Sequence, residues 1–523
     1  MEAAFERDVQ SLARRIAAAG ASERTRVYRL TWWTDRLLDW AMDHPDFKTQ
    51  LFRFVDVFPA CRNDADVARH LEEYLDGVDA PTALELGLEA ADHIPFGAKI
   101  EAAVARRNVL RMARQFIAGA TPADALPRLR ELWRLGEAST VDLLGEKTVT
   151  EPEAQRYAQR VHELLDALAS DAKQWPPDPH LERDAWGPVP RANVSVKPTA
   201  LAPLFGPLTR ERGLAQASER MRDICAHARD IGASVYLDME HYDVKDMTLE
   251  LVRTLGDSFG DDLELGAVLQ AYLKDSYDDL RRLVGWAKDR RKPLNIRLVK
   301  GAYWDYETIV AASHGWPVPV FERKEHTDAN YERCARLLID NAGTVRPAFG
   351  THNIRTIAYA ISAARSRGLH DTDVEIQLLY GMAEPIHAAL RRLGFRVRAY
   401  APIGELVPGM AYLVRRLLEN TANESFLRHR FAEGVDLEQL IAPPVVADGE
   451  LHRPGAPLDR APTSALDPQP FVNEPLTEFR RPAAREEMRK AVAAATRMKV
   501  FDAPALIDGE TSPTRDTIPS IDP

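Results

Sequence analysis

The sequence predicts an α/β fold, a (βα)8 barrel preceded by an α-helical accessory region, on three observations. Short β-branched runs alternate with longer helical ones eight times in roughly 300 residues of the middle of the chain. Polar residues stand at the C-terminal ends of seven of these runs, the face where such barrels carry their sites. The first part of the chain is instead helical, with Ala-rich amphipathic stretches.

Taken in order, residues 1–134 form the accessory region, with amphipathic stretches at Val9–Ala19 and Val104–Ala118. Between them the apolar, aromatic run Leu51–Ala60 suits core packing. The Pro-containing stretch Thr121–Pro127 marks a change of character, and the barrel is expected over residues 135–440. Its strands are expected at Ser139–Leu144, Ala192–Lys197, Ser234–Asp238, Leu265–Gln270, Leu294–Val299, Arg346–Thr351, Val374–Leu379 and Phe395–Tyr400. Each is followed by enough chain for a crossover helix. The polar residues at or near those ends are Lys197, Asp238, Gln270, Lys300 just after the fifth run, the Thr351-His352-Asn353 string, Gln377 within the seventh run, and Tyr400. Residues 441–483, rich in Pro, Asp and Glu, read as a linker. A new unit over 484–523 opens with the charged helix Ala484–Met498 and holds too little apolar chain to build a core alone.

The 523 residues, 45% hydrophobic, suit two to four soluble domains. The net charge of −11 and the lack of a basic cluster exclude a duplex-binding surface, so no nucleic-acid partner is expected. Cys61, Cys225 and Cys334 are odd in number and widely spaced, which argues against a zinc site or a disulfide framework and fits a reducing cytoplasm. No metal is expected. The N-terminus has no apolar signal region, and no run of about 18 apolar residues occurs, so any membrane contact is peripheral.

Two strings carry chemistry. In Tyr412–Asn420, adjacent Arg415 and Arg416 interrupt an apolar helical pattern, and Leu413, Val414, Leu417 and Leu418 leave little circumference for two cations to face water. A carboxylate ligand satisfies such a pair through bidentate guanidinium bonds; an Arg415–Glu419 pair at i,i+4 is the bland alternative. The string Arg297-Leu-Val-Lys300-Gly301-Ala302-Tyr303-Trp304 joins a strand end, cations, a glycine turn and aromatics. It suits a flavin or phosphate site, a Schiff-base lysine of an aldolase or lyase barrel at Lys300 or Lys197, or a plain tight turn.

Together with Val141–Glu146, Ser195–Lys197, Asp238–Glu240, Gln270–Asp275, Arg323-Lys324, Thr351–Asn353, Gln377–Met382 and Tyr400–Pro402, these strings resemble the proline dehydrogenase domain of the proline utilization A family over residues 138–426. The resemblance implies a distorted (βα)8 TIM barrel that holds FAD noncovalently. It implies oxidation of L-proline to Δ1-pyrroline-5-carboxylate, with electrons passed to a membrane quinone and peripheral contact with the inner membrane. By motif, Arg415 and Arg416 clamp the proline carboxylate with Lys197, and Tyr400, Tyr412 and Leu379 shape the pocket. Asp238 lies near the flavin and the lining tyrosine, and Glu146 pairs with Arg415 as a gate. For the cofactor, Arg297 meets the flavin N5 region, Gln270 and Gln377 the ring or ribityl chain, and Val299 and Gly301 to Trp304, through Ala302 and Tyr303, the stacking surface. Arg323 and Lys324 suit the pyrophosphate; Thr351, His352, Asn353, Glu419 and Phe426 suit the adenosine part.

Pro198 and Tyr380 depart from the leucine and histidine of many members, which puts the aim of Lys197 and one cofactor-side contact in question. The tail from about 484 resembles the opening of the NAD-dependent glutamate-semialdehyde dehydrogenase domain of the longer members. The expectation is a chain truncated before that domain, without the N-terminal DNA-binding module of some members.

Overall fold

The structure, a computed structural model, describes residues 2–27, 115–145, 147–405, 437–446, 476–497 and 505–512, with positions 50, 53, 57, 66, 69, 70, 73, 74 and 451. Eight parallel strands close into a barrel in chain order. They are β1 Ala138–Leu143, β2 Asn193–Val196, β3 Ser234–Leu237, β4 Glu264–Gln270, β5 Leu294–Val299, β6 Val345–Gly350, β7 Glu375–Leu379 and β8 Arg396–Ile403. Closure is made by β8 on β1, in register from Ala138↔Arg398 to Leu143↔Ile403. Each strand lies where the β-branched runs predicted it. The last runs on past Tyr400, because β1 offers it backbone partners as far as Ile403.

Helices wrap the barrel. After the N-terminal helix α1 Glu2–Val27 comes α2 Pro122–Arg134, which leads into β1. On the connections between strands lie α3 Glu151–Ala172, α4 Arg210–Ile231, α5 Tyr242–Phe259, α6 Ser276–Ala287, α7 Trp304–His314, α8 Lys324–Asp340, α9 Ile354–Ser366 and α10 Glu384–Arg392. Local sequence fixes their starts. The Pro-containing stretch that looked like a break begins α2: Thr121 caps it in a reciprocal box with Asp124, and Pro122 sits in the first turn, where a missing N–H is harmless. Thr150 and Glu153 repeat the box on α3.

The N-terminal helix Glu2–Val27 packs on α9 and α10 through Val9, Leu12, Ala13 and Ile16, whose spacing gives one buried stripe. Two further contacts fix its position. Phe5 meets Tyr359 edge-on at 5.4 Å, and buried Arg355 on α9 bonds Glu6 at 2.7 Å and Glu332 at 3.0 Å. At the N-terminal end of the barrel the small hairpin of Arg183-Asp184 and Gly187-Pro188 supplies Asp184, which meets Arg346 and Arg396. The other end is left to the polar strand termini.

A second compact unit spans Leu476–Pro523, with the helix Pro482–Ala495 and an antiparallel pair, Ala505–Ile507 with Glu510–Ser512. Among the described residues, no helix is long and apolar enough to cross a membrane, and no group of His, Cys, Asp and Glu is arranged to hold a metal.

Glu332, the other carboxylate on Arg355, gives the barrel a pH response. Burial pushes the Glu332 carboxyl from an ordinary 4.5 up to about 7, with Arg355 opposing and Glu6 and Asp328 adding. The folded chain therefore holds a proton that the unfolded chain has lost, so this group's stabilisation falls as pH rises from 4.5 to about 7. The melting temperature of the wild type should drop relative to Glu332→Gln across that window and run parallel above it. A constant offset at all pH values would overturn this.

Candidate active site

The barrel's alternation turns Ser195, Tyr236, Arg297, Gln377 and Tyr400 toward its axis from β2, β3, β5, β7 and β8. Arg297 is the hub. Its Nε donates to Gln377 Oε1 at 2.5 Å, its Nη1 to Asp238 Oδ1 at 2.8 Å, and its Nη2 to Ser195 Oγ at 3.1 Å. The guanidinium carbon lies 4.4 Å from the Tyr236 ring centroid and 5.2 Å from that of Tyr400, favourable cation–π distances. Asp238 uses its other oxygen to accept from the Tyr400 hydroxyl at 2.6 Å.

Lys197 leaves the end of β2 buried, with Nζ on Asp142 Oδ1 at 2.5 Å. Burial works against its charge, but the carboxylates of Asp142 and Asp238 outweigh it and hold the ammonium well above the ordinary lysine range. Burial lifts the Asp142 carboxyl; Lys197 opposes the lift and Asp238 adds to it. Pro198 does not disturb this aim, since it occupies the first position of the short helix Pro198–Leu201, where no N–H is needed. Nearby, Thr199 donates to both oxygens of Glu240, whose carboxyl burial pushes up to about 7.

Gln270, ending β4, donates Nε2 to the Glu240 carbonyl at 3.1 Å, and its buried Oε1 has no hydrogen-bond partner among the described residues. Such an orphan acceptor fits a ligand ring N–H. After β5, Val299 leads into the exposed turn at Gly301 and Ala302, followed by half-buried Tyr303 and exposed Trp304. Gly301 has φ +139°, and a Cβ there would lie 2.5 Å from the Tyr272 ring, so only glycine fits. Arg323 caps α8 and Lys324 opens it, with no side-chain cap on the helix N–H groups. Lys324 and Lys300 share Asp328.

Thr351, His352 and Asn353 are buried and locally engaged. Thr351 Oγ1 accepts from Asn353 N, Asn353 Oδ1 caps α9 at Thr356, and His352 Nε2 accepts from Leu379 N. Half-buried Tyr380 packs against the hydrophobic core near Arg128 and Glu384, on the side of α2 and α10. Glu146, Tyr412, Arg415, Arg416, Glu419 and Phe426 lie outside the described residues. Sequence reasoning assigned no role to Asp142, Ser195, Tyr236 or Glu375. A carboxylate in an apolar strand was the available sign for Asp142 and Glu375; for Ser195 and Tyr236 there was none.

Two family models match the chain: proline dehydrogenase over residues 125–429 and the proline utilization A N-terminal domain over residues 6–116. The bifunctional protein PutA of Escherichia coli is 33% identical over 347 residues, 64% of this chain and 25% of that protein. The proline dehydrogenase of Deinococcus radiodurans is 30% identical over 332 residues, 63% of this chain and 93% of that protein. The crystal structure of proline utilization A from Bdellovibrio bacteriovorus, inactivated by N-propargylglycine, matches with a TM-score of 0.85 and 39% identity, over 98% of this chain and 50% of that one. The chain thus spans about a quarter of the length of its bifunctional relative from Escherichia coli.

The buried pair makes a direct test. Removing either partner strands a charge, so Asp142→Asn and Lys197→Met should each cost about 3 kcal/mol in urea unfolding. The double variant should cost less than their sum by about 1 kcal/mol or more. Strict additivity would show that the two groups do not sense each other.

Proposed function

The chain belongs to the proline dehydrogenase family, and from that premise we propose that it oxidises L-proline to Δ1-pyrroline-5-carboxylate with FAD, its electrons leaving to a membrane quinone. The observation that carries this reading is the charge balance at the barrel mouth. Lys197 faces Asp142 and Arg297 faces Asp238, so the described cations already have carboxylate partners. A substrate carboxylate then calls for the adjacent Arg415 and Arg416, with Lys197 at its edge and Glu146 pairing with Arg415 over the bound substrate.

The residues suit the cofactor. Arg297 would face the flavin N5 region with Gln377 behind it, and Gln270 Oε1 would accept from a ring N–H. Val299, Gly301, Ala302, Tyr303 and Trp304 would supply the stacking edge. Arg323 and Lys324 would hold the pyrophosphate at the α8 N-terminus, where uncapped N–H groups favour anions. Thr351, His352 and Asn353, with Glu419 and Phe426, would close the adenosine end. When bound, FAD supplies the hydride acceptor.

The chain's own groups then position and exclude. Tyr400, its phenol pinned by Asp238, would pack the pyrrolidine ring with Tyr412 and Leu379. Asp238 accepts from both Arg297 and Tyr400, so it braces the site and is not free to act as a base. A neutral amine is favoured in so dry a site; the C5 hydride would pass to the bound acceptor and the N–H proton would be released to water as the product leaves, which gives the C=N bond. Lys197, held charged, lacks the neutral amine that a Schiff-base mechanism requires.

Anaerobic L-proline should bleach the flavin spectrum of the purified protein, and pyrrolidine should not; equal bleaching by both would remove the carboxylate clamp. Arg416→Met should keep FAD and raise the proline KM by about tenfold or more, from the loss of charged hydrogen bonds. Glu146→Ala should also retain flavin. Tyr400→Phe should keep FAD but lower kcat/KM by about tenfold, the value of one hydrogen bond to a charged group.

A further inference from the structure

Gln377 stands between two groups of opposite chemistry. Its Oε1 accepts from Arg297, and its Nε2 donates to Glu375 Oε1 at 2.7 Å. A guanidinium can only donate and a carboxylate can only accept, so one of the two amide orientations satisfies both neighbours and the other satisfies neither. Glu375 and Gln377 point the same way because they are two residues apart on β7. All three side chains are buried, which leaves no bulk solvent to rescue the wrong orientation.

Glu375 is itself anchored. Arg398 Nε donates to Glu375 Oε1 at 2.8 Å, and Arg398 Nη1 holds the Ser139 carbonyl at 2.8 Å. Burial pushes the Glu375 carboxyl up, but Arg398 and Arg396 more than reverse this and keep it ionised. A continuous chain of hydrogen bonds therefore runs from Ser139 through Arg398, Glu375, Gln377 and Arg297 to Asp238 and Tyr400.

We propose that Glu375 is a positioning residue for Arg297: by fixing the flip of the Gln377 amide, it sets the rotation of the guanidinium at the barrel mouth. The consequence for catalysis rests on the reading that Arg297 faces a flavin. A correctly aimed cation stabilises the reduced, anionic ring, so a loosened Arg297 lowers both the flavin midpoint potential and the rate of proline oxidation. On that same reading the carboxylate clamp is assigned to Arg415 and Arg416 and not to Arg297, so the proline KM should stay nearly constant.

The test is a swap of chemistry between the two strand positions, with Glu375→Gln, Gln377→Glu and the double variant E375Q/Q377E compared as holoenzymes. Glu375→Gln lets the amide of Gln377 turn; the midpoint potential should become more negative and the anaerobic bleaching rate should fall about tenfold. Gln377→Glu sets two carboxylates against each other and should be impaired as well. The double variant restores every donor and acceptor: the carboxylate at 377 accepts from Arg297 and from the amide at 375, and that amide's oxygen accepts from Arg398. Its potential and rate should lie nearer the wild type than the two single losses combined, because residues that share one hydrogen-bond network couple. Unchanged potential and rate in Glu375→Gln, or a double variant as impaired as the two singles combined, would overturn the proposal. Should Glu375→Gln fail to fold, the double variant decides by the same criterion. Should the wild type show no proline-dependent bleaching, the functional reading fails; urea unfolding of the four flavin-free proteins then judges the relay, which stands if the double variant is more stable than the summed singles and falls if they add.

Discussion

The barrel mouth depends on one buried cation. Arg297 sits inside a closed sheet where bulk water does not reach, and a charge there survives only if its donors and its flat faces are matched. The structure matches them from five directions: Gln377, Asp238 and Ser195 in the guanidinium plane, and the rings of Tyr236 and Tyr400 against it. The partners come from β2, β7 and β8, and from β3 twice, through Tyr236 and through Asp238 at its end. The guanidinium therefore ties β2, β3, β5, β7 and β8 together at one level and makes a polar layer where many barrels of this type stack aliphatic side chains.

This arrangement sorts the acidic residues by what they are free to do. Asp238 has both oxygens engaged and acts as a brace, while Asp142 is devoted to Lys197. Among the described residues, the Thr199 hydroxyl is the one side chain that bonds the Glu240 carboxylate, and burial lifts that carboxyl. Such a site has strong fields but few mobile protons. That suits a reaction in which geometry and dryness contribute most and acid–base exchange contributes least.

The rim is built on different terms. Gly301 keeps a positive φ against the Tyr272 ring, which lets the backbone turn in a space no side chain could share. The N-terminus of α8, flanked by Arg323 and Lys324, is more exposed than the Arg297 layer. The barrel end thus joins a buried polar layer at Arg297 to a solvated rim at α8.

Much of this was legible in the sequence. Period and composition located all eight strands, because a strand buried on both faces must be a short apolar run, and the polar residues that end those runs marked the mouth. The strings Ser195–Lys197, Asp238–Glu240 and Arg297–Trp304 carried the resemblance to the family, which the proline dehydrogenase model over residues 125–429 bears out. Partnership was a different matter. Lys197 and Asp142 are separated by 55 positions and Arg297 and Gln377 by 80, and nothing along the chain says which carboxylate meets which cation. Only barrel closure, which sets the register of β1 on β8 and the inward face of every strand, brings those groups within hydrogen-bond reach, because side-chain pairing depends on distance in space and sequence fixes only distance along the chain.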